Sequence, residues 1–211
     1  VPAAVAIPIL LVTAYLIGSV SGSLLLGRWR GVDIRRHGSG NAGGTNAFRT
    51  QGWRFALGVV LVDIGKGALA TWLALRTAPA AAGLEPVAWA CVAALAAACG
   101  HVWPLWHGFR GGKGVGTLLG GMLVLWPAVL PWLLAVWVAV LVASGYVGLA
   151  SMVAVACLVP IAWISDADGV RRLFAAAVAA LVLFTHRANV QRLRAGTELR
   201  FERVRLWRRR A

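Results

Sequence analysis

Between residues 4 and 26 the chain carries no charged side chain, and residues 147–164 repeat the pattern. Residues 55–76 are nearly as apolar, interrupted only by Asp63, Lys66 and Arg76. A helix needs about 20 mostly apolar residues to cross a hydrocarbon core of roughly 30 Å, so runs of this length limit the fold more than any motif does. Shorter apolar runs cover residues 86–102, 114–126, 128–143 and 172–185. Pro127 and Pro131 interrupt what would otherwise be one stretch from 114 to 143, and SGYVG at 144–148 supplies turn residues before the next run. Charged residues make up 13% of the chain, about half the share of an average soluble domain. The expected class is an all-α integral membrane protein.

The distribution of charge sets the orientation. The net charge is +14, and 19 of the 21 basic residues are arginine. Strong basicity raises nucleic acid as a partner, but here the charges flank apolar runs, where membrane topology puts them and where anionic lipid head groups receive them. No nucleic-acid partner is expected. Residues 27–54, 103–113 and 186–211 carry six, two and nine Lys/Arg, against Arg76, Arg171 and Arg172 in the opposite loops. Placing the three basic loops in the cytoplasm requires an odd number of crossings. Seven helices, N-terminus out and C-terminus in, satisfy this; five also do if residues 114–143 form a re-entrant hairpin. Seven is the preferred reading. The first run lacks a positive n-region and its basic residues follow it, so it is expected to be a retained span. The tail RLRAGTELRFERVRLWRRRA alternates basic with apolar residues and is expected to lie along the inner membrane surface. Cys91, Cys99 and Cys157 all fall in apolar runs, where a cysteine is ordinarily a small hydrophobe, and no disulfide or catalytic thiol is expected.

Three polar islands interrupt the apolar sequence, all on the cytoplasmic side of this topology. The first is RRHGSGNAGGTNAFRTQG, residues 35–52. GSGNAGG fits G-x-G-x-x-G, but no strand precedes it and a membrane helix follows, so the dinucleotide reading fails on context. The physical logic survives. Gly40, Gly43 and Gly44 let backbone amides approach an anion closely; Ser39, Asn41, Thr45 and Asn46 add neutral donors, and Arg49 adds a bidentate phosphate clamp. A helix starting near Thr45 would add its positive N-terminus. The second island is GHVWPLWHGFRGGKGVGT, residues 100–117. It is not a Walker A loop: His107 stands where a glycine is required, and Lys113 is followed by Gly114 instead of Ser/Thr. Gly111, Gly112 and Gly114 around Lys113 at a helix start still read as a phosphate cradle. In the third, THRANVQRLRAGTE at 185–198, His186 and Asn189 share a helix face. His186 is a candidate general base or phosphate donor, and Glu198 is expected to pair with an arginine of the tail. Asp63 and Lys66, three apart in an apolar helix, either neutralise each other or send Lys66 toward the site.

His101 and His107 lack the spacing of a helical zinc pair, no third ligand lies nearby, and no metal site is expected. There is no G-x-S-x-G elbow and no acidic partner for a serine triad. Two cationic glycine-rich loops and a His/Asn pair at one membrane face point to chemistry on phosphorylated groups beside lipid. One substrate would be a polar phosphate, and the other would carry an acyl tail.

GSGNAGGTNAFR resembles the first signature of the bacterial membrane acyl-phosphate:glycerol-3-phosphate acyltransferases (the PlsY family), usually GSGN-x-GATN-x-x-R. The second and third islands resemble that family's other two signatures, in the same order. Departures are mild: Gly44 stands where alanine is usual, Arg110 where lysine is common, and Trp103 where phenylalanine is common. The resemblance implies a seven-helix enzyme of the bacterial inner membrane that moves an acyl group from acyl phosphate to the 1-hydroxyl of glycerol 3-phosphate. It implies no metal and no cofactor, lysophosphatidic acid and phosphate as products, and a chain acting as a monomer among membrane lipids. On this reading Arg49, Lys113 and His186 hold the glycerol 3-phosphate, oriented by Ser39 and Asn189. The first loop's amides, with Asn41, Thr45 and Lys66, bind the acyl-phosphate head. The base is either His186 or an oxygen of the bound acyl phosphate. The competing class is an organic-phosphate transporter or channel, for which charged or broken helices near the midplane and internal repeats would be expected; no repeat is found in the sequence.

Overall fold

The computed structural model describes residues 3–78, 83 and 85–201, and every regular element among them is helical. The chain divides into two compact units, Val1–Pro127 and Ala128–Ala211.

The first unit is assembled around one long helix. In order it contains α1 (Ala3–Gly18), α2 (Gly22–Trp29), a 3₁₀ turn (Ile34–Arg36), α3 (Gly44–Gln51), α4 (Trp53–Thr77), α5 (Pro86–Val102), a second 3₁₀ turn (Leu105–His107) and α6 (Val115–Leu125). Helix α4 packs against every other helix of the unit, and α1 and α6 also pack on α5. Lipid gives helices no hydrophobic reason to associate, so close backbone approach through small residues must do it. The contacts are reciprocal. A Cβ on Gly67 of α4 would overlap the Thr117 carbonyl of α6, and one on Gly120 of α6 would overlap the Ile64 carbonyl of α4. Gly18 and Gly100 do the same for α1 and α5, against Ala97 and Tyr15. Ala90, Ala93, Ala94, Ala97 and Ala98 complete the fully buried face of α5.

The first apolar run, expected as one span, is broken. Residues 19–21 separate α1 from α2 with a bend of 46°. Breaking a helix in an apolar setting orphans carbonyls at one end and amides at the other. Two side chains of α4 serve both: Lys66 donates to the Val20 carbonyl at 2.7 Å, and Asp63 accepts from the Gly22 amide at 3.1 Å. A cation at the C-terminal end and an anion at the N-terminal end also oppose the two helix dipoles.

The second unit contains α7 (Leu130–Ser144), α8 (Val147–Ile164), α9 (Gly169–Thr185) and α10 (Arg187–Arg194). Gly145, left-handed at φ 78°, closes α7 and turns the chain into α8, and its carbonyl accepts from the Phe201 amide at 2.8 Å. Asp168 caps α9 by accepting from the Arg171 amide. Helix α9 bends by 54° into α10 at His186.

Among the described residues, four helical stretches are long and apolar enough to cross a membrane, or six if each bent pair counts once. Helix α6 has 11 residues and rises only about 16 Å, roughly half the hydrocarbon thickness. The expected interfacial tail lies, beyond Phe201, outside the described residues.

Candidate active site

In the first island the polar side chains divide into those that build the loop and those left to line it. Ile34, fully buried, pins the start of the loop into a small core with Ala47, Phe55, Ala56 and Val59. Asn46, expected to contact substrate, instead holds the loop from inside. Its Oδ1 accepts from the Ser39 amide at 2.9 Å, and its Nδ2 donates to the Ile34 and His37 carbonyls at 3.0 Å each. Both of its donors are used, and the side chain is buried. Gly38, at φ 60°, lies so close to the Asn46 amide that a Cβ would collide with it. From α2, Ser23 donates to the Ala42 carbonyl at 2.7 Å. The chain then enters α3 at Gly43 and Gly44, near the start expected at Thr45. The first-turn amides of Gly44, Thr45 and Asn46 have no acceptor within the helix, as at any helix start. Arg49 follows Thr45 by one turn and shares its face. Half-exposed Ser39, Asn41 and Gly43 and exposed Gly40 form the rim before the helix, which half-exposed Gly44 opens.

The second island is a tight turn folded back on the end of α5. Gly111 and Gly112, expected as anion-cradling amides, donate to the Val102 and His101 carbonyls at 3.1 Å each. Their lack of side chain is what matters: a Cβ on Gly111 would overlap the His101 carbonyl, and one on Gly112 would overlap the His101 ring. Gly114, left-handed at φ 83°, then starts α6. The Gly111 and Gly112 amides are thus used within the turn, and Lys113 follows them at the entry to α6.

Arg35 joins the two islands. Its Nη1 donates to the His107 carbonyl at 3.0 Å and to the Arg110 carbonyl at 3.1 Å, while Asp33 grips its Nε and Nη2. The hydrogen-bonded guanidinium holds the Asp33 carboxyl below its ordinary 3.8, and the carboxylate raises Arg35 in turn. Arg35 thus ties the first loop, which carries Ser39, Asn41, Thr45 and Arg49, to the turn that precedes Lys113 and Gly114.

Lys66 does not extend toward that rim. Its ammonium is buried and meets Asp63 Oδ1 at 3.0 Å, His101 Nδ1 at 2.8 Å and the Val20 carbonyl at 2.7 Å, one acceptor for each N–H. Of the two readings of Asp63 and Lys66, mutual neutralisation is the one observed.

The third island belongs to the second unit. His186 sits at the α9–α10 bend, 3% exposed, with Nδ1 2.8 Å from the Val182 carbonyl. A carbonyl only accepts, so Nδ1 carries the proton, and in the neutral ring Nε2 is the basic nitrogen. Asn189 donates to Glu198 at 2.7 Å, and Arg192 donates to the other oxygen of the same carboxylate. The expected pairing of Glu198 with a tail arginine is present, and it fixes Asn189 as well. Gly148 of α8 lies against Asn189 with no room for a Cβ.

Sequence reasoning missed Arg35, Asp33 and His101. His101 was weighed only as a zinc ligand; the available signal was a histidine ending an apolar helix shortly before two adjacent glycines.

Residues 8–196 match the family described as glycerol-3-phosphate acyltransferase. A glycerol-3-phosphate acyltransferase of Synechococcus sp. (strain CC9902) is 44% identical, covering 91% of this chain and 94% of the relative. The one from Clostridioides difficile (strain 630) is 40% identical, covering 90% and 93%. Among solved structures, PlsY (YgiH), an integral membrane glycerol 3-phosphate acyltransferase, superposes in its glycerol 3-phosphate form with a TM-score of 0.84 at 31% identity. That match covers 92% of this chain and 95% of the other. Its lysophosphatidic acid form gives a TM-score of 0.82. With this breadth of match, the chain belongs to the glycerol-3-phosphate acyltransferase family of multi-pass membrane enzymes.

Proposed function

We propose that this enzyme transfers a fatty acyl group from acyl phosphate to the 1-hydroxyl of glycerol 3-phosphate, releasing lysophosphatidic acid and inorganic phosphate. The observation that supports the reading is the Arg35 clasp, which ties the first glycine-rich loop to the His107 and Arg110 carbonyls of the second, just ahead of Lys113 and the start of α6. Two phosphate groups must be held for this reaction, one on each substrate. Helix N-terminal amides and cationic side chains are both suited to holding phosphate. The hydroxyl attacks the acyl carbonyl, an oxyanion develops, and the carbon–oxygen bond to phosphate breaks. Phosphate is a good leaving group, so positioning and charge stabilisation supply most of the catalysis.

Ser39, Arg49, Lys113, His186 and Asn189 are assigned to binding and orienting glycerol 3-phosphate. The first loop, with Asn41 and Thr45, is assigned to the acyl-phosphate head. His186, whose Nδ1 lies 2.8 Å from the Val182 carbonyl, is the candidate general base; an oxygen of the acyl phosphate is the alternative proton acceptor. Because the family match runs through both compact units, from residue 8 to residue 196, a single acyltransferase domain is the natural reading. Seven crossings with the N-terminus outside, in a bacterial cytoplasmic membrane, remain the arrangement that puts seventeen basic residues inside against three outside. The chain is assigned as a monomer.

One feature favours transport: the α1–α2 break with its buried ion pair is a discontinuous helix of the kind that binds ions in transporters. Here the charges are engaged with the helix ends themselves. A single assay separates the classes. Purified protein in lipid is supplied with palmitoyl phosphate and radiolabelled glycerol 3-phosphate, without added metal, coenzyme A or carrier protein. Wild type should form labelled lysophosphatidic acid, and Ser39→Ala and Lys113→Ala should each lose on the order of 10²-fold or more. His186→Gln should lower kcat with KM little changed if His186 is the base, whereas a raised KM alone assigns it to binding. Uptake of label into proteoliposomes with no acylated product would overturn the enzyme reading.

A further inference from the structure

Beneath the second loop lies a cluster of buried charged and titratable side chains that the reaction does not touch. Asp63, Lys66 and His101 are each no more than 6% exposed. Their connections run in two directions. Toward the membrane helices, Lys66 and Asp63 bind the Val20 carbonyl and the Gly22 amide across the α1–α2 break. Toward the loop, the histidine takes over. The Lys66 ammonium meets Asp63 Oδ1, the Val20 carbonyl and His101 Nδ1, and the same Nδ1 lies 3.4 Å from Asp63 Oδ1, so both members of the ion pair hold one edge of the ring and turn Nε2 toward the loop. That Nε2 occupies the space where a Gly112 side chain would stand, while the backbone carbonyl of the same histidine holds the Gly112 amide at 3.1 Å. Ring and backbone therefore both bear on the residue next to Lys113.

A buried ion pair is a poor source of stability, since its desolvation offsets most of its attraction and an apolar replacement is often neutral or better. Here the pair serves the ends of the α1–α2 break, and it also reaches His101 on the loop side. What the cluster does provide is a fixed direction for the His101 ring, and through it a fixed height for the Gly111–Gly114 turn. We propose that Asp63, Lys66 and His101 are positioning residues that lock the second loop so that Lys113 and the start of α6 meet the glycerol 3-phosphate phosphate. This rests on the assignment of Lys113 to that substrate above.

The test compares wild type with His101→Phe, which keeps a ring but offers no acceptor to Lys66. A second variant, Asp63→Asn combined with Lys66→Met, removes both charges together and leaves neither stranded. Gly112→Ala, alone and added to each, moves the loop directly. The KM for glycerol 3-phosphate should rise about 10-fold in both, as misplacing a binding group does, while the KM for palmitoyl phosphate stays within about 2-fold. Equilibrium binding of glycerol 3-phosphate without acyl donor should weaken in parallel. Adding Gly112→Ala should cost little more, because the loop is already displaced and the effects are not additive. An unchanged KM for glycerol 3-phosphate, an equal rise for both substrates, or full additivity in variants that melt like wild type would overturn the proposal. A wild type that neither binds nor acylates glycerol 3-phosphate would instead sink the functional assignment on which it rests.

Discussion

Asn46 has the most demanding hydrogen-bond requirements in the first loop, since its amide serves one N–H and two carbonyls at once. An aspartate has nearly the same shape and would still accept from Ser39. Its second oxygen, however, would face the Ile34 and His37 carbonyls with a lone pair where each needs a donor. Leaving two buried acceptors unpaired beside a new charge costs about 2–4 kcal/mol. Asn46→Asp is therefore expected to lower the melting temperature and to lose acylation along with the placement of Ser39. Tryptophan-fluorescence melting beside the radiolabel assay would read both. A stable, active Asn46→Asp enzyme would show that the loop does not need this staple. The residue also marks a limit of sequence reading. Ser39, Asn41, Thr45 and Asn46 were legible as a polar, anion-facing set, but nothing in their order distinguishes the one that turns inward. That choice is made by Ile34 and His37, whose carbonyls the loop brings within reach only after folding. Lys66 was ambiguous for the same reason, because two of its three acceptors, the Val20 carbonyl of the α1–α2 break and His101 of α5, are distant in sequence.

At the scale of elements, one guanidinium links the two loops. Arg35 meets two carbonyls of the second loop while Asp33 grips its other edge, a fork geometry that a lysine cannot reproduce. Arg35→Lys keeps the charge and is expected to reduce kcat/KM for glycerol 3-phosphate about 10-fold by loosening the second loop. Turnover equal to wild type would remove the clasp from the account. The pair also carries a pH signature. Asp33 has its pKa lowered in the folded protein, below the ordinary 3.8, chiefly by its side-chain hydrogen bond to Arg35. A depressed carboxylate contributes stability that is fully present above the unfolded value and is lost as pH falls through the folded one. Thermal stability should therefore decline as pH drops below 3.8, and Asp33→Asn should flatten that part of the curve while lowering stability at neutral pH. An identical acid limb in both proteins would count against the pair.

Across the whole molecule, the apolar pattern carried most of the architecture. The runs at 86–102 and 147–164 coincide end to end with α5 and α8, and α4, α6, α7 and α9 fall within a few residues of the runs expected for them, because burial in lipid leaves a helix no choice about its backbone. The break at residues 19–21 was not legible: Gly18, Ser19 and Ser21 sit comfortably in a continuous membrane helix, and the groups that stabilise the opening come from α4, some forty positions later. The helix partners were equally hidden, since glycines pepper the chain and only some meet a neighbour. Helix α4 offers a test of this within two residues. At Gly67 an added Cβ would overlap the Thr117 carbonyl, which belongs to the backbone of α6 and cannot swing aside; at Gly65 it would meet nothing within 4 Å. Gly67→Ala must separate α4 from α6 and is expected to destabilise by about 1–3 kcal/mol, as overpacking does. Gly65→Ala should be neutral or stabilising by about 0.5–1 kcal/mol, because alanine restricts the unfolded chain and suits a helix better. Melting curves of the two variants in one detergent would compare them directly. Because Thr117 lies in α6, which begins immediately after Lys113 and Gly114, Gly67→Ala should also raise the KM for glycerol 3-phosphate while Gly65→Ala leaves it alone. If both alanines behave alike, the reciprocal glycine contacts are not what holds α6, and with it the second loop, in place.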